Sequence, residues 1–172
     1  MPIFIARLPL YGAIFCTVIA LLSGCSSAKN KPVGTDLKLN FIVEGNINPD
    51  ENKRPSPVFV RLYELKSPTI FNKADFIDLY ERDKEILGSD LLAKQMLRPL
   101  PPGVTRSEKL VLTSGATQIG LYVEFSQYRG SAYKATFPII LNSVGKNEVT
   151  IRISGNEISF VKKQEAPKNN ED

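Results

Sequence analysis

Strict alternation of apolar and polar residues is the feature that most limits what this chain can become. Over residues 117–126, Ile119, Leu121, Val123 and Phe125 fall on one side, with Gln118, Tyr122 and Glu124 on the other. A period of two fits an extended strand with one buried face and scatters round a helix. Residues 36–44 repeat it, Leu37, Leu39, Phe41 and Val43 alternating with Lys38, Asn40 and Glu44. In 58–65, Val58, Val60 and Leu62 share one face, and Phe59, Arg61 and Tyr63 the other. Shorter runs follow: 108–113 around Leu110 and Leu112, 133–141 with Tyr133, Ala135, Phe137 and Ile139, then 147–153 and 156–162 joined by Ser154-Gly155. Short strands at regular spacing, separated by turn residues, predict a mainly β chain folded as a sandwich of about seven to eight strands.

One interval breaks the pattern. Residues 71–83 switch to a helical period in which Phe71, Ala74, Ile77 and Tyr80 share a face that Phe76 and Leu79 widen. Asp75, Asp78 and Glu81 are expected outward, and with Asp83 and Glu85 they read as the solvated side of an amphipathic helix. Phe71, Phe76 and Tyr80 are expected in the core. Residues 90–98 fit either a second short helix or an edge strand, ended by Pro99, Pro101, Pro102 and Gly103. The expectation is a short helical insertion, about residues 68–98, after the second strand.

Composition narrows the chemistry. The chain has 172 residues, 42% apolar and 23% charged, which suits one folded domain. It has no His, which excludes Ser-His-Asp and Cys-His centres and any His-ligated metal. Two Cys are too few for a Cys-only zinc site. The acidic residues of 75–85 lack the Gly-centred spacing of a calcium loop, and Gly-rich phosphate loops are absent. Ser56, Ser89 and Ser114 have no Lys three residues on. A net charge of +4, with no cluster behind it, gives little reason to expect nucleic acid. No cofactor, metal or nucleic acid is expected.

The first 24 residues read as an address. Arg7 is the only charge; an apolar stretch then runs from Leu8 to Leu22, interrupted by Gly12 and Thr17, and ends in Ser23-Gly24 before Cys25. That layout fits a secretory signal, and nearly as well a membrane anchor. Leu22-Ser23-Gly24-Cys25 resembles the lipobox of bacterial lipoproteins, whose signal peptidase cuts before the Cys. Sulfur is the nucleophile that takes the diacylglyceryl group, so the resemblance implies lipidation at Cys25. Cys16 leaves with the signal, and the mature chain is 148 residues (172 minus 24). Three acyl chains, as mature bacterial lipoproteins usually carry, hold far more firmly than one. Ser26 stands where enterobacterial inner-membrane lipoproteins favour Asp, which points to the outer membrane, periplasmic face. Residues 25–35 read as a lipidated tether, 36–162 as the domain, and 163–172 as a polar tail.

Between the first two strands lies a loop, residues 45–57, with three Pro and three Asn. Its plain reading is a turn, in which Pro55 and Pro57 pre-set the backbone and Asn48 or Asp50 bonds its own main chain. Arg54 reads equally as a contact for a partner's carboxylate or as a local partner of Asp50 or Glu51. Arg61 reads as a solvated or paired surface residue.

An ordered series of motifs then resembles one family. It comprises Asn48-Pro49-Asp50, Arg54-Pro55-Ser56-Pro57-Val58 and Val60-Arg61-Leu62-Tyr63-Glu64-Leu65-Lys66. Phe71, Ala74-Asp75-Phe76, Leu79-Tyr80-Glu81 and Leu87-Gly88-Ser89-Asp90-Leu91-Leu92 continue it, and Ala116-Thr117-Gln118-Ile119-Gly120 closes it. The series is similar to the outer-membrane lipoprotein of the type VI secretion system, the TssJ or SciN family. The resemblance implies a transthyretin-like β-sandwich with a helical insertion, without catalysis. It also implies binding to the periplasmic C-terminal part of the inner-membrane subunit TssM, tying the apparatus to the outer membrane. The family's loop between strands one and two reaches toward TssM; here Asn46, Ile47, Asn48, Pro49, Asp50 and Arg54 become the expected partner-binding residues. Where the family often has Trp-Arg in a late strand, this chain has Tyr133-Lys134.

Two other readings have distinct signatures. A periplasmic carrier of a small apolar ligand would need an internal cavity. A carboxylate enzyme would need two acidic residues about 5–10 Å apart in a cleft.

Overall fold

A computed structural model describes residues 34–141 and 145–161. The signal segment 1–24, Cys25, the tether to residue 33 and the tail 163–172 lie outside the described residues. Eight strands are present: β1 (Thr35–Val43), β2 (Phe59–Leu65), β3 (Leu91–Met96), β4 (Thr105–Leu112), β5 (Gln118–Glu124), β6 (Lys134–Pro138), β7 (Glu148–Ser154) and β8 (Glu157–Phe160). Three short helices, α1 (Thr69–Lys73), α2 (Phe76–Glu81) and α3 (Asp83–Leu87), and a 3-10 turn separate β2 from β3. Residues 90–98 resolve as strand rather than helix, since Leu91–Met96 pairs antiparallel with β2.

The strands form two four-stranded sheets, β4-β1-β7-β8 and β3-β2-β5-β6. All ladders are antiparallel except β1 with β7. In β1 every second residue is buried, so Leu37, Leu39, Phe41 and Val43 face inward. They pack with Val60, Leu62, Leu121, Val123, Ile151 and Ile153 between the sheets. Thr35, placed in the tether by its polarity, is buried and pairs with Leu112 as the first residue of β1.

The second sheet is covered on both faces. Tyr63 and Tyr122, outward by alternation, are fully buried with Leu65, Phe71, Phe76, Leu79 and Leu87 beneath the helical insertion. A strand covered on both sides loses the apolar–polar rhythm, and β5 is buried continuously from Ile119 to Val123.

The insertion is three helices instead of one. Ala74 and Asp75 are extended, and Asp75 Oδ1 accepts the Asp78 N–H at 2.8 Å, capping a new helix. The break resets the phase: Phe76 and Leu79 turn inward, whereas Ile77 and Tyr80, expected on the buried face, are 41% and 48% exposed. Arg82 separates α2 from α3, and this second break turns Asp83 into the interior.

Strand direction gives the sandwich two poles. β1 runs from Thr35 at the proximal pole to Val43 at the distal pole, about 30 Å at the usual rise per strand residue. Following the registers, the 44–58, 97–104, 125–133 and 155–156 connections gather at the distal pole. The 113–117 and 139–147 connections lie at the proximal pole.

Candidate functional site

The distal loop 44–58 is held by one residue. Asn48 has φ of 46° and is 3% exposed; Asn tolerates this left-handed conformation better than most residues. Its backbone N–H donates to Gly155 O at 2.8 Å. Its side-chain amide donates to Ser56 Oγ at 2.8 Å and Pro57 O at 3.1 Å, and its Oδ1 accepts the Ser126 N–H at 2.8 Å. The Ser56 hydroxyl returns a bond to Asn48 O at 2.7 Å. The side chain and backbone of this one buried residue thus tie together three connections far apart in sequence.

Beyond it the tip closes on itself. Asp50 Oδ1 accepts from the N–H groups of Asn52 and Arg54 at 2.8 and 2.9 Å, and Oδ2 accepts Arg54 Nε at 2.7 Å. The Arg54 N–H, joined by the Arg54 side chain and the Asn52 N–H, holds the Asp50 carboxyl below the usual carboxylate range against the opposing effect of desolvation. Of the two readings for Arg54, the structure shows the local pair with Asp50.

The expected partner-binding residues therefore fall into two groups. Asn46 and Arg54 are exposed and Pro49 and Asp50 half-exposed at the surface. Ile47 and Asn48 are buried, Ile47 within the main core. These two underlie the loop instead of forming its surface, because an apolar side chain and a multiply bonded amide are both satisfied inside.

Neighbouring turns complete the pole. Asn46 Oδ1 accepts the Gly155 N–H at 3.2 Å, and Ala132 N–H donates to Asn156 O at 3.1 Å. A depression of about 270 Å³ opens between them, lined by Asn46, Arg129, Ser131, Asn156 and Glu157. Sequence reasoning missed Arg129, Asn156 and Glu157, which lie some 80 to 110 positions from Asn46; only strand order brings them there. Among the described residues, no three carboxylates or thiols gather where a metal ion could sit.

The insertion covers a second polar cluster. Asp83, expected on a solvated face, has a side chain 8% exposed. Its Oδ2 accepts from Tyr63 Oη at 2.8 Å and Lys94 Nζ at 2.6 Å, with Arg61 Nη1 at 3.5 Å. Burial pushes the Asp83 carboxyl up, but the bonds from Lys94 and Tyr63 outweigh it and leave it below its ordinary value. Burial, then the Asp83 bond, pushes the Tyr63 phenol well up. Arg61 also donates to Glu124 Oε1 at 2.5 Å and to the Leu79 and Tyr80 carbonyls at the end of α2, and lies 5.0 Å from the Tyr80 ring centroid. At the end of α1, Lys134 Nζ donates to the carbonyls of Phe71 at 3.1 Å, Asn72 at 2.8 Å, and Ala74. Two strand cations thus fasten two helix ends, and Lys134 fills the place where the family often has Arg. The donors and acceptors of this cluster serve each other, which suits a clamp.

Comparison with known proteins follows the fold. The T6SS lipoprotein TssJ1 from Pseudomonas aeruginosa matches at 22% identity and TM-score 0.68, over 77% of this chain and 99% of that one. Serratia marcescens Lip, described as a membrane-bound component of the Type VI Secretion System, matches at 25% identity and TM-score 0.68, over 77% and 100%. A chain in a structure described as the T6SS protein TssM C-terminal domain (869–1107) from EAEC matches at 20% identity and TM-score 0.61, over 74% and 98%. A search of curated proteins finds no match. The architecture is the transthyretin-like sandwich of the TssJ structures. Since the model of the type VI secretion lipoproteins (VasD, EvfM, TssJ) also matches residues 35–156, nearly the whole described domain, the chain belongs to the type VI secretion lipoprotein family.

Proposed function

We propose that this chain is an outer-membrane lipoprotein, acylated at Cys25, whose distal loops bind the periplasmic C-terminal region of TssM and so tie the secretion apparatus to the outer membrane without catalysis. One observation carries the reading. The N-terminal segment joins the domain at the proximal pole, while the pre-ordered 44–58 loop stands at the other end of β1, about 30 Å away. An anchor at one pole leaves the opposite pole facing the periplasm. The inward bonds of Asn48 and the Asp50–Arg54 closure fix the loop before any partner arrives, so less binding energy goes into ordering it. Asn46, Pro49, Asp50 and Arg54 are the contact candidates, joined by Arg129 on the neighbouring turn.

The EAEC structure supports a TssM-type partner. Its named fragment runs from 869 to 1107, 239 residues (1107 − 869 + 1). The matching chain is covered to 98% by 74% of this one, about 127 of 172 residues. The match is therefore to a chain shorter than the TssM fragment named with it.

The test is a titration of the purified lipoprotein with the periplasmic part of TssM. Pro49→Gly combined with Asp50→Lys is expected to weaken binding about tenfold or more, since a charge placed wrongly in an interface costs more than one lost contact. The unfolding temperature should fall only modestly, through loss of the bonds with which Asp50 closes the loop tip. Unchanged affinity moves the interface elsewhere. Replacing Cys25 with Ser is expected to release the protein from membrane fractions; retention there would overturn the lipid anchor.

A further inference from the structure

The proximal pole carries the most exposed large apolar side chains among the described residues. Of the ten exposed large apolar side chains among the described residues, Val111, Ile140 and Leu141 lie at this end. Val111 and Ile140 are the two most exposed of the ten, at 80% and 57%. Both sit on a fixed frame. Val111 is paired with Asp36 across the ladder, and a Cβ added to Gly34 would stand 3.5 Å from Val111 Cγ1, so this side chain marks where the N-terminal segment joins the domain. Ile140 is pinned beneath β1: its N–H donates to Asn147 Oδ1 at 2.8 Å, and Asn147 Nδ2 donates to Asp36 O at 3.1 Å. Exposed Lys109 and Lys146 lie at the same pole.

We propose that this pole rests in the headgroup layer of the membrane that holds Cys25, Val111 and Ile140 entering the interface while Lys109 and Lys146 meet lipid phosphates. The inference rests on acylation of Cys25, proposed above. Chain length selects this occupant. Gly34 is the ninth residue after Cys25, and nine residues reach at most about 32 Å. An acylated Cys25 therefore keeps this pole within about 32 Å of the bilayer, nearer than the distal pole is held. Apolar side chains flanked by cations gain there by leaving water and by attraction to anionic lipid.

The chain has no Trp, so one introduced Trp is an unambiguous reporter. The full mature lipoprotein carrying Ile140→Trp is reconstituted into phosphatidylethanolamine–phosphatidylglycerol vesicles, with and without lipids brominated high on the acyl chain. Emission from Ile140→Trp is expected to shift to the blue and lose about half its intensity to the brominated lipid. Asn52→Trp, at the distal pole, is expected to lose almost none. A second variant, Val111→Glu, is expected to reduce the quenching of Ile140→Trp severalfold. Equal, negligible quenching at residues 140 and 52 overturns the proposal. So does an Ile140→Trp emission that shifts to the blue without quenching and follows dimer formation, which assigns the surface to a second copy. Mass spectrometry of Cys25 separates the two claims. An unacylated Cys overturns anchor and docking together, whereas an acylated protein with an unquenched reporter overturns the docking alone.

Discussion

Gly120 and Phe71 are in direct apposition: a Cβ built on Gly120 would stand 2.9 Å from Phe71 Cζ and 3.0 Å from both Cε atoms. The helical insertion comes this close to the sheet because β5 has no side chain at that point. Phe71 fills the gap completely and packs 5.3 Å, centroid to centroid, from Tyr63.

Gly120→Ala is therefore expected to overpack this contact. The cost should be about 1–3 kcal/mol, or about 4–10 °C in Tm. Adding Phe71→Leu should recover part of the loss, because a smaller side chain makes room for the methyl. Calorimetry of the three variants checks this; additive losses would mean that the residues do not share the strain.

Acid should weaken the clamp beneath α3. Asp83 is held below its ordinary carboxyl value in the fold, so the folded state binds its proton later than the unfolded chain. Its stabilising effect is complete above the unfolded value, near 4, and is lost as pH falls through the folded value. Asp83→Asn is expected to cost about 3 kcal/mol near neutrality, since Lys94 loses its carboxylate partner and Arg61 keeps only Glu124. It should also flatten the decline in stability below pH about 4. Some decline should remain, because Asp50 is also held low. Urea unfolding from pH 3 to 7 checks this; an unaltered slope would take Asp83 out of the acid response.

At the end of α1, Lys134→Met should leave three carbonyls without their shared donor. Exposure to water limits the cost to about 1–3 kcal/mol. The loss should be local. Hydrogen exchange at the α1 and α2 amides is expected to quicken while that of β1 follows only the global stability. Uniform acceleration through both sheets would deny the insertion any independent opening.

How much of this was legible depended on what water touches. β1 was readable because its outer face is solvated and its inner face packed, so alternation reports burial directly. β5 misled at Tyr122, because a rhythm of two cannot register a layer laid over the outer face. The insertion misled at Ile77 and Tyr80, where two extended residues reset the helical phase. Asp75, three residues before Asp78, was the one sign of that restart. In the distal loop, order was legible from Pro55 and Pro57. The inward turn of Ile47 had a signal too, an apolar residue between two Asn. Arg129, Asn156 and Glu157 had none, because their approach to Asn46 depends on strand order.

Asn48 should separate the shape of the distal loop from its surface. Asn48→Ala removes the acceptor for the Ser126 N–H and the donor to Ser56 and Pro57, and puts a residue that disfavours left-handed backbone at φ 46°. A loss of about 2–4 kcal/mol is expected from the unsatisfied groups and the strain. Affinity for the TssM periplasmic region should fall as well, although Asn48 is too buried for a partner to touch. Slower association is the expected cause, since a loosened loop spends less time in the competent shape. Arg129→Glu should act the other way round, leaving Tm nearly unchanged and speeding dissociation, because it alters an exposed side chain outside the bonds that close the loop. Stopped-flow binding beside thermal unfolding distinguishes the two. If Asn48→Ala lowered Tm and left both rate constants untouched, the loop's pre-ordering would have no part in recognition.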